Sequence, residues 1–403
     1  MNTGLDFLHK DGDKCYINCQ PQYWTGGNQE DLDYIKTHTT YEIIKRRCLR
    51  RPDNDFFGYR RLENDRYVGD YIWIKNKDVL DLVDTLAGGI ISTLKLKKGD
   101  FVGIISSNRY EWYVSQFAMQ RQGIVPVPLY PTLGKDSLNY IITTLNIKNV
   151  FCTFSKTVEE MYNSNPTLKL ICYPTLKKVM STIPSNINYI NYTDLIEMGK
   201  KNPVEPDLPS LNDMFSVIFT SGTSGVPKGA IHTYSSSSHG AYVINTCGLF
   251  GSDGLLNGTY FSYLPSSHVL ELEVAHAFFY GEGRVGIISG GIQTLAEDLK
   301  LCQPTFMVAV PRVLQKIFDK FTETINKSSY LTQFVYHMAY SYKLNAVKTN
   351  SWTYINWDYW VLSKVQEVFG GKLKDIWWML LVTSQMTDLN FMNVGSVCPT
   401  VEF

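Results

Sequence analysis

Residues 219–229 have the types and spacing of a site for a polyphosphate. The segment reads Phe219-Thr-Ser-Gly-Thr-Ser-Gly-Val-Pro-Lys-Gly229 and directly follows an apolar stretch that predicts a strand. Glycines let backbone N–H groups approach an anion closely, hydroxyl groups add hydrogen-bond donors, and lysine supplies a positive charge. The predicted phosphate-binding residues are Thr220, Ser221, Gly222, Thr223, Ser224, Gly225 and Lys228.

Two other interpretations of this segment are a flexible surface loop and a Walker A loop. The preceding strand and the sequence Pro227-Lys228-Gly229 argue against an ordinary surface loop. A Walker A loop requires a lysine that follows glycine and precedes Ser or Thr, whereas Lys228 follows Pro227 and precedes Gly229. The sequence therefore excludes the P-loop class and favours another kind of phosphate site.

The elements that would position this segment alternate between strands and helices. Apolar residues recur at helical spacing over 79–94, and residues 101–106 then predict a buried strand. A helix at 111–122 and an extended segment at 123–129 complete a βαβ unit, which implies a parallel sheet. Further predicted elements are helices near 137–145 and after Pro311, and strands at 150–154, 215–220, 260–264, 285–289 and 306–310. The proline-rich stretch 156–212 is predicted to be a loop-rich connection between subdomains.

The composition is that of an ordinary globular protein. Among 403 residues, 38 basic and 38 acidic side chains balance, which argues against a nucleic-acid-coating surface or a polybasic membrane patch. The eight cysteines include no Cys-x-x-Cys pair and no zinc-ligand spacing, so reduced thiols in a cytoplasmic protein are expected. The N-terminal residues lack a secretory-signal pattern, and no apolar run reaches the roughly 18 residues that a transmembrane helix needs.

Residues 220–229 resemble the AMP-binding signature of the adenylate-forming superfamily, which includes acyl-CoA synthetases, luciferases and peptide-synthetase adenylation domains. Three further regions are similar to the long-chain fatty acyl-CoA synthetase branch. They are Asn-Arg-Tyr-Glu-Trp at 108–112 with 125–134, Tyr-Leu-Pro-Ser-Ser-His at 263–268, and Glu-Asp-Leu-Lys at 297–300 with 304–305 and 310–314. The resemblance extends over roughly residues 41–400.

The resemblance implies a fold and a reaction. The fold would be the large N-terminal domain of adenylate-forming enzymes, an α/β arrangement of parallel and mixed sheets layered with helices. In that family ATP and a carboxylic acid give an acyl-adenylate and pyrophosphate, and the thiol of coenzyme A then displaces AMP. By resemblance, residues 220–225 and Lys228 would hold the β- and γ-phosphates, and His268 would be a catalytic residue near the carboxylate. The implied ligands are a fatty acid, ATP and coenzyme A, with Mg²⁺ as cofactor.

Several of these side chains also have a purely structural interpretation. His268 could be a core or capping histidine after a strand, although the Tyr-Leu-Pro-x-x-His context favours the functional role. Arg312 is predicted to start a helix without binding a ligand. Trp112 and Tyr110 are predicted to pack in the core.

The C-terminal part departs from the family pattern. Residues 370–374 resemble the strand entry before the family's adenine-binding loop, but 379–387 lack its two glycines and its Ala-Pro pair. The family's Thr-Glu pair for the α-phosphate and Mg²⁺, its ribose-binding aspartate and its small C-terminal domain do not appear in the sequence. We therefore expect an N-terminal extension at 1–40 and a C-terminally truncated large domain at 41–403, with no protein ligand for the metal and slow adenylation.

The sequence favours two functions, and the segments similar to the long-chain branch argue against a third, an adenylating enzyme for another acid. The first is a long-chain fatty acid–CoA ligase, which activates a fatty acid to acyl-AMP and then to acyl-CoA. The second is a truncated, non-catalytic relative that retains nucleotide or fatty-acid binding. Peripheral association with the endoplasmic reticulum or another membrane is compatible with the resemblance, because the substrates of this branch partition into bilayers.

Overall fold

The computed structural model describes residues 8–11, 14–17, 29–175, 177–220, 226–246, 257–348, 367–373 and 375–378. Its first elements are the antiparallel strands β1 (Leu8–Asp11) and β2 (Lys14–Ile17) and the helices α1 (Gln29–Thr37) and α2 (Thr40–Arg50). A capping box begins α2, in which the backbone N–H of Thr39 donates to the Glu42 carboxylate at 2.8 Å. The division at residue 40 stays a prediction, although Leu32 and Ile35 of α1 are buried in the same core as α2.

A long hairpin that the sequence patterns did not predict follows. Its strands β3 (Asp55–Glu63) and β4 (Arg66–Lys75) are antiparallel. Asn64 and Asp65 turn the chain with φ of 47° and 61°, in the left-handed region that these two residue types tolerate. Helix α3 (Asn76–Gly89) then continues as a π-helical turn over Ile90–Leu94, which confirms the helix predicted over 79–94.

A five-stranded parallel sheet confirms the predicted βαβ pattern. Its strands are β5 (Phe101–Ile105), β6 (Val125–Pro128), β7 (Asn149–Cys152), β8 (Lys169–Cys172) and β9 (Tyr189–Asn191), in the order β6-β5-β7-β8-β9. Its helices are α4 (Tyr110–Gln120), α5 (Lys135–Thr144), α6 (Lys156–Ser164), α7 (Lys177–Met180) and α8 (Tyr192–Lys201). Because the strands are parallel, the loops that follow β5, β7 and β8 emerge at the same carboxyl edge of the sheet.

The prediction that residues 156–212 form a loop-rich connection is wrong. This stretch contains α6, β8, α7, β9 and α8. Its prolines at 166, 174 and 184 lie between these elements, and those at 203, 206 and 209 follow α8, so none of them interrupts regular structure.

The predicted phosphate segment belongs to a separate antiparallel hairpin. Its strands are β10 (Met214–Thr220) and β11 (Lys228–Thr233), and helix α9 (Tyr234–Thr246) follows. The hairpin lies against β6, where the Ser216 hydroxyl donates to the Pro126 carbonyl at 3.1 Å.

A second sheet has six strands in the order β15-β14-β12-β13-β3-β4. Its remaining strands are β12 (Thr259–Ser262), β13 (Arg284–Ile287), β14 (Phe306–Ala309) and β15 (Asp375–Trp378). The helices of this half are α10 (Val269–Tyr280), α11 (Leu295–Cys302), α12 (Pro311–Asn326) and α13 (Tyr330–Lys348). Neighbouring strands are parallel except for β3 and β4. The two sheets confirm the predicted α/β class, with parallel and mixed sheets layered with helices.

Aromatic side chains of α4 and α10 form the centre of the main core, which joins the two sheets. Phe117 and Phe279 meet edge-on with their ring centroids 5.4 Å apart. Trp112 is fully buried, which confirms that it is a packing residue. Cys48, Cys152, Cys172 and Cys302 are buried free thiols. None of the helices in the described ranges combines the length and the apolar character needed to cross a bilayer.

Candidate functional site

The predicted phosphate segment lies at the tip of the β10–β11 hairpin. Thr220 and Lys228 are paired at the end of the two strands, and both residues are exposed. The predictions for Ser221, Gly222, Thr223, Ser224 and Gly225 fall outside the described residues. The structure therefore brings together the first and the last of the predicted phosphate-binding residues.

The Lys228 ammonium is not engaged by the protein where the structure describes it. No hydrogen bond or ion pair links this side chain to another described residue. An exposed lysine at the base of a Thr/Ser/Gly segment is therefore available to an anion.

Strand β10 runs in the same direction as β6. Asp213, just before β10, lies 3.9 Å from the Lys98 ammonium, and the Lys98 side chain packs over Gly123, just before β6. Three residues further along, Ser216 binds Pro126 of β6. The hairpin tip therefore points toward the carboxyl edge of the five-stranded sheet.

Asn108 joins this edge to the loop that carries His268. It lies between β5 and α4, and its amide N–H group donates to the Ser262 hydroxyl at 3.3 Å and to the Leu264 carbonyl at 2.5 Å. Its amide oxygen accepts from the Ser266 backbone N–H at 3.0 Å. Only a side-chain amide offers the donors and the acceptor that these three bonds need. The loop between β12 and α10 is thereby fastened to the loop after β5.

His268 is the N-cap of α10. Its Nδ1 accepts from the Leu270 backbone N–H at 3.2 Å, so the neutral ring carries its proton on Nε2. Burial lowers the pKa of the imidazole, which favours that neutral form near pH 7. No residue in the described ranges pairs with Nε2. The capping interpretation therefore applies, and it leaves one N–H free to donate to a substrate oxygen.

A neutralised ion pair lies beside this junction. Arg109 donates to both oxygens of the Glu111 carboxylate at 3.0 and 2.9 Å, and to the Pro174 carbonyl at 2.8 Å. Its guanidinium also lies 4.8 Å from the ring centre of Tyr173. Arg109 therefore ties the loops after β5 and β8 together, and its charge is already satisfied.

The sequence patterns missed a buried carboxyl close to His268. Glu271 is completely buried in the first turn of α10, and the Tyr260 hydroxyl donates to its Oε2 at 2.5 Å. Burial raises the pKa of Glu271 to about 8. The signal that could have drawn attention to it is an acidic residue at the third helical position, where glutamate often completes a capping box. Here the side chain enters the core.

The other predicted site residues are not joined by polar contacts within the described residues. No hydrogen bond or ion pair joins Lys228 to His268 within the described parts of the chain, although both lie in segments at the carboxyl edges of the sheets. Arg312 is exposed at the start of α12. Among the described residues, no group of three or more His, Cys, Asp or Glu could hold a metal ion. The described residues therefore contain no preformed cluster of three or more metal-ligating side chains.

A known protein family matches most of the chain. The family described as AMP-binding enzyme matches residues 44–379, which include Asn108, Lys228 and His268. This chain belongs to the AMP-binding enzyme family. That result confirms the family to which residues 220–229 pointed.

Curated members of the family match the chain over only part of their own length. Fatty acyl-CoA synthetase A of Dictyostelium discoideum is 33% identical over 348 residues, which cover 85% of this chain and 51% of the relative. Long-chain-fatty-acid–CoA ligase 5 of Rattus norvegicus is 30% identical over 356 residues, which cover 83% and 50%. The chain thus spans about half the length of these curated relatives.

Solved structures share the fold. The adenylation domain of a carboxylate reductase from Mycobacterium chelonae gives a TM-score of 0.74 at 16% identity, over 94% of this chain and 60% of that chain. The corresponding domain from Segniliparus rugosus, in complex with AMP and a co-purified carboxylic acid, gives 0.69 at 13% identity, over 96% and 63%. A long-chain-fatty-acid-CoA ligase from Archaeoglobus fulgidus gives 0.61 at 15% identity, over 88% and 60%. At these identities the comparison establishes the fold alone.

Proposed function

We propose that this chain binds ATP and a long-chain fatty acid and activates the acid to acyl-AMP, which coenzyme A converts to acyl-CoA. The observation that carries the proposal is the exposed Lys228, which has no polar partner among the described residues and lies beside Thr220 at the tip of a hairpin whose sequence has the AMP-binding signature. Two curated relatives are named fatty acyl-CoA synthetase or long-chain-fatty-acid–CoA ligase, which supports a fatty acid as the substrate.

The chemistry explains why these residues are useful. A carboxylate is a poor electrophile, and transfer of AMP to its oxygen creates a good leaving group. The positive charge of Lys228 would stabilise the charge that accumulates on departing pyrophosphate. The Nε2–H of His268 would donate to the carboxylate oxygen and later to the carbonyl of the acyl-adenylate.

Lys228→Ala should weaken ATP binding about tenfold or more. A hydrogen bond to a charged group contributes about 1.5–3 kcal/mol, and each 1.4 kcal/mol corresponds to about a factor of ten in affinity. Isothermal titration calorimetry with ATP would measure the change. Lys228→Arg should retain most of the affinity, because it keeps the charge.

Lys156→Ala provides a charge-matched control, because Lys156 lies on α6 with its side chain 88% exposed. It should bind ATP as the wild type does. Equal ATP affinity in wild type and Lys228→Ala would contradict the phosphate-binding role.

Pyrophosphate release tests the reaction itself. With ATP, Mg²⁺ and a long-chain fatty acid, the wild-type chain should release pyrophosphate in a fatty-acid-dependent manner, and Lys228→Ala should release much less. ATP binding without fatty-acid-dependent release would contradict activation and support the non-catalytic binding protein instead.

A further inference from the structure

A buried polar cluster includes residues on both sides of His268 in the sequence and has no part in the proposed function. We call it the Glu271 cluster, and it consists of Tyr113, Tyr260, Ser262, Ser266 and Glu271. All five residues are at most 2% exposed. They come from α4, β12, the loop after β12 and the first turn of α10, so the cluster lies where these elements meet.

Several polar atoms of the cluster lack a hydrogen-bond partner among the residues that the structure describes. The Oε2 of Glu271 accepts from Tyr260, but its Oε1 has no partner among the described residues, and neither has the Tyr113 hydroxyl or the Ser266 hydroxyl. The Tyr113 hydroxyl lies beside the hydroxyls of Ser262 and Ser266, and Ser262 also lies beside the Glu271 carboxyl. The cluster is therefore a continuous set of groups that one additional proton donor could link.

Glu271 has no compensating positive charge in the part of the chain that the structure describes. Among the described residues no lysine or arginine forms an ion pair with it, and the titratable groups that face it are Tyr260 on β12, Tyr113 on α4 and Tyr263 in the loop after β12. His268 precedes it by one helical turn and binds Leu270. A buried carboxylate without a compensating charge is strongly unfavourable, whereas a neutral carboxylic acid both donates and accepts hydrogen bonds.

Two serines of the Glu271 cluster take part in the hydrogen bonds between Asn108 and the loop that carries His268. The Ser262 hydroxyl accepts a hydrogen bond from the side-chain N–H group of Asn108. The Ser266 backbone N–H donates to the side-chain oxygen of Asn108. A change in the charge of Glu271 therefore acts directly on Ser262, which in turn lies beside Tyr113 and through it is linked to Ser266, and so reaches the loop that ends at His268.

We propose that Glu271 is a positioning residue, which as a neutral carboxylic acid fastens the first turn of α10 to β12 and thereby orients the His268 imidazole. The catalytic value of this role rests on the proposed function, because orienting Nε2 matters for the reaction only where His268 meets the substrate. Loss of the proton would put an uncompensated charge beneath residues 263–268 and displace the imidazole.

The test follows the titration of His268 in the ligand-free 403-residue chain. Histidine is labelled with ¹⁵N, and the His268 ring signals are assigned by their loss in His268→Gln. In the wild type these signals should show, besides the titration of His268 itself, a second step with a midpoint near pH 8, where Glu271 loses its proton. In Glu271→Gln, which is neutral at every pH and nearly the same shape, the second step should disappear while the ring keeps its neutral-state shifts.

Infrared spectroscopy of the wild type keeps the proposal testable even where Glu271→Gln does not fold. With glutamate labelled by ¹³C, the band of a protonated carboxyl group should be present at pH 7 and lost around pH 8. Absence of a protonated glutamate at pH 7, or a second His268 step that persists in Glu271→Gln, would overturn the proposal.

Catalysis separates this proposal from the proposed function. When the wild type releases pyrophosphate, Glu271→Gln should retain most of that activity at pH 7 and lose less of it than the wild type between pH 7 and 9. When the wild type binds ATP but releases no pyrophosphate, the proposed activation fails, while the spectroscopic results still decide whether Glu271 orients His268.

Discussion

At the level of single residues, the two ring nitrogens of His268 have different surroundings. Nδ1 caps α10 through the Leu270 N–H, while Nε2 has no partner among the residues that the structure describes. The capping role of His268 and its proposed chemical role therefore belong to different atoms of one side chain, and suitable substitutions separate them.

His268→Ala should destabilise the protein by about 1 kcal/mol, because the first turn of α10 loses a side-chain acceptor. His268→Asn should have nearly wild-type stability, because asparagine is among the best N-cap residues. Urea denaturation followed by tryptophan fluorescence would measure both. Both variants should lose fatty-acid-dependent pyrophosphate release, since neither has Nε2. Equal stability of His268→Ala and wild type would contradict the capping role.

At the level of elements, α3 and α8 pack with their backbones in contact. A Cβ at Gly199 of α8 would clash with the Thr85 carbonyl oxygen of α3, and one at Gly89 of α3 would clash with the Leu195 carbonyl oxygen of α8. In the sequence, the conspicuous prolines around α8 favoured a connection over regular structure. A glycine in the sequence does not reveal which helix its backbone will contact, so the packing became visible only in three dimensions.

Gly199→Ala should destabilise the protein by about 1–3 kcal/mol. Alanine alone would favour a helix over glycine by about 1 kcal/mol, but the backbone clash forces α8 away from α3 and outweighs that gain. Met198→Ala serves as the control, because Met198 is 47% exposed on the neighbouring position of α8. A Gly199→Ala protein more stable than wild type in thermal unfolding would show that the two helices are not in backbone contact.

At the level of the whole molecule, Asn108 connects the loops of the two sheets. Its partners Ser262, Leu264 and Ser266 lie 154 to 158 residues away in the sequence. One side-chain amide therefore helps to hold the His268 loop in position relative to the five-stranded sheet. Its removal should loosen the loop between β12 and α10.

Asn108→Ala should destabilise the protein by about 1–3 kcal/mol and accelerate hydrogen exchange at the Ser266 backbone amide, because that N–H loses its acceptor. Asn108→Asp keeps the acceptor and should preserve the Ser266 protection better, although it loses the donors to Ser262 and Leu264. Hydrogen exchange read by mass spectrometry would compare the variants. Unchanged Ser266 exchange in Asn108→Ala would mean that the loop is held by other contacts.

The sequence by itself determined the features that depend on local patterns. The β5–α4–β6 unit, the later strands and the Thr/Ser/Gly/Lys segment at 220–229 follow from periodicity and residue type, and the family result agrees with them. Helical and extended spacing is set by neighbouring residues, which explains why these predictions succeeded. The family to which the chain belongs could therefore be inferred from its amino-acid sequence alone.

Only the tertiary structure decided how distant segments combine. The parallel course of β10 beside β6, the Asn108 junction and the capping bond of His268 are contacts that residue types along the chain do not specify. The pKa of Glu271 is raised because the fold buries its carboxyl completely, and no described lysine or arginine forms an ion pair with it. Burial of a charged group is a property of the assembled fold, so a glutamate that looks like an ordinary helix-start residue in the sequence becomes a buried acid in the folded protein.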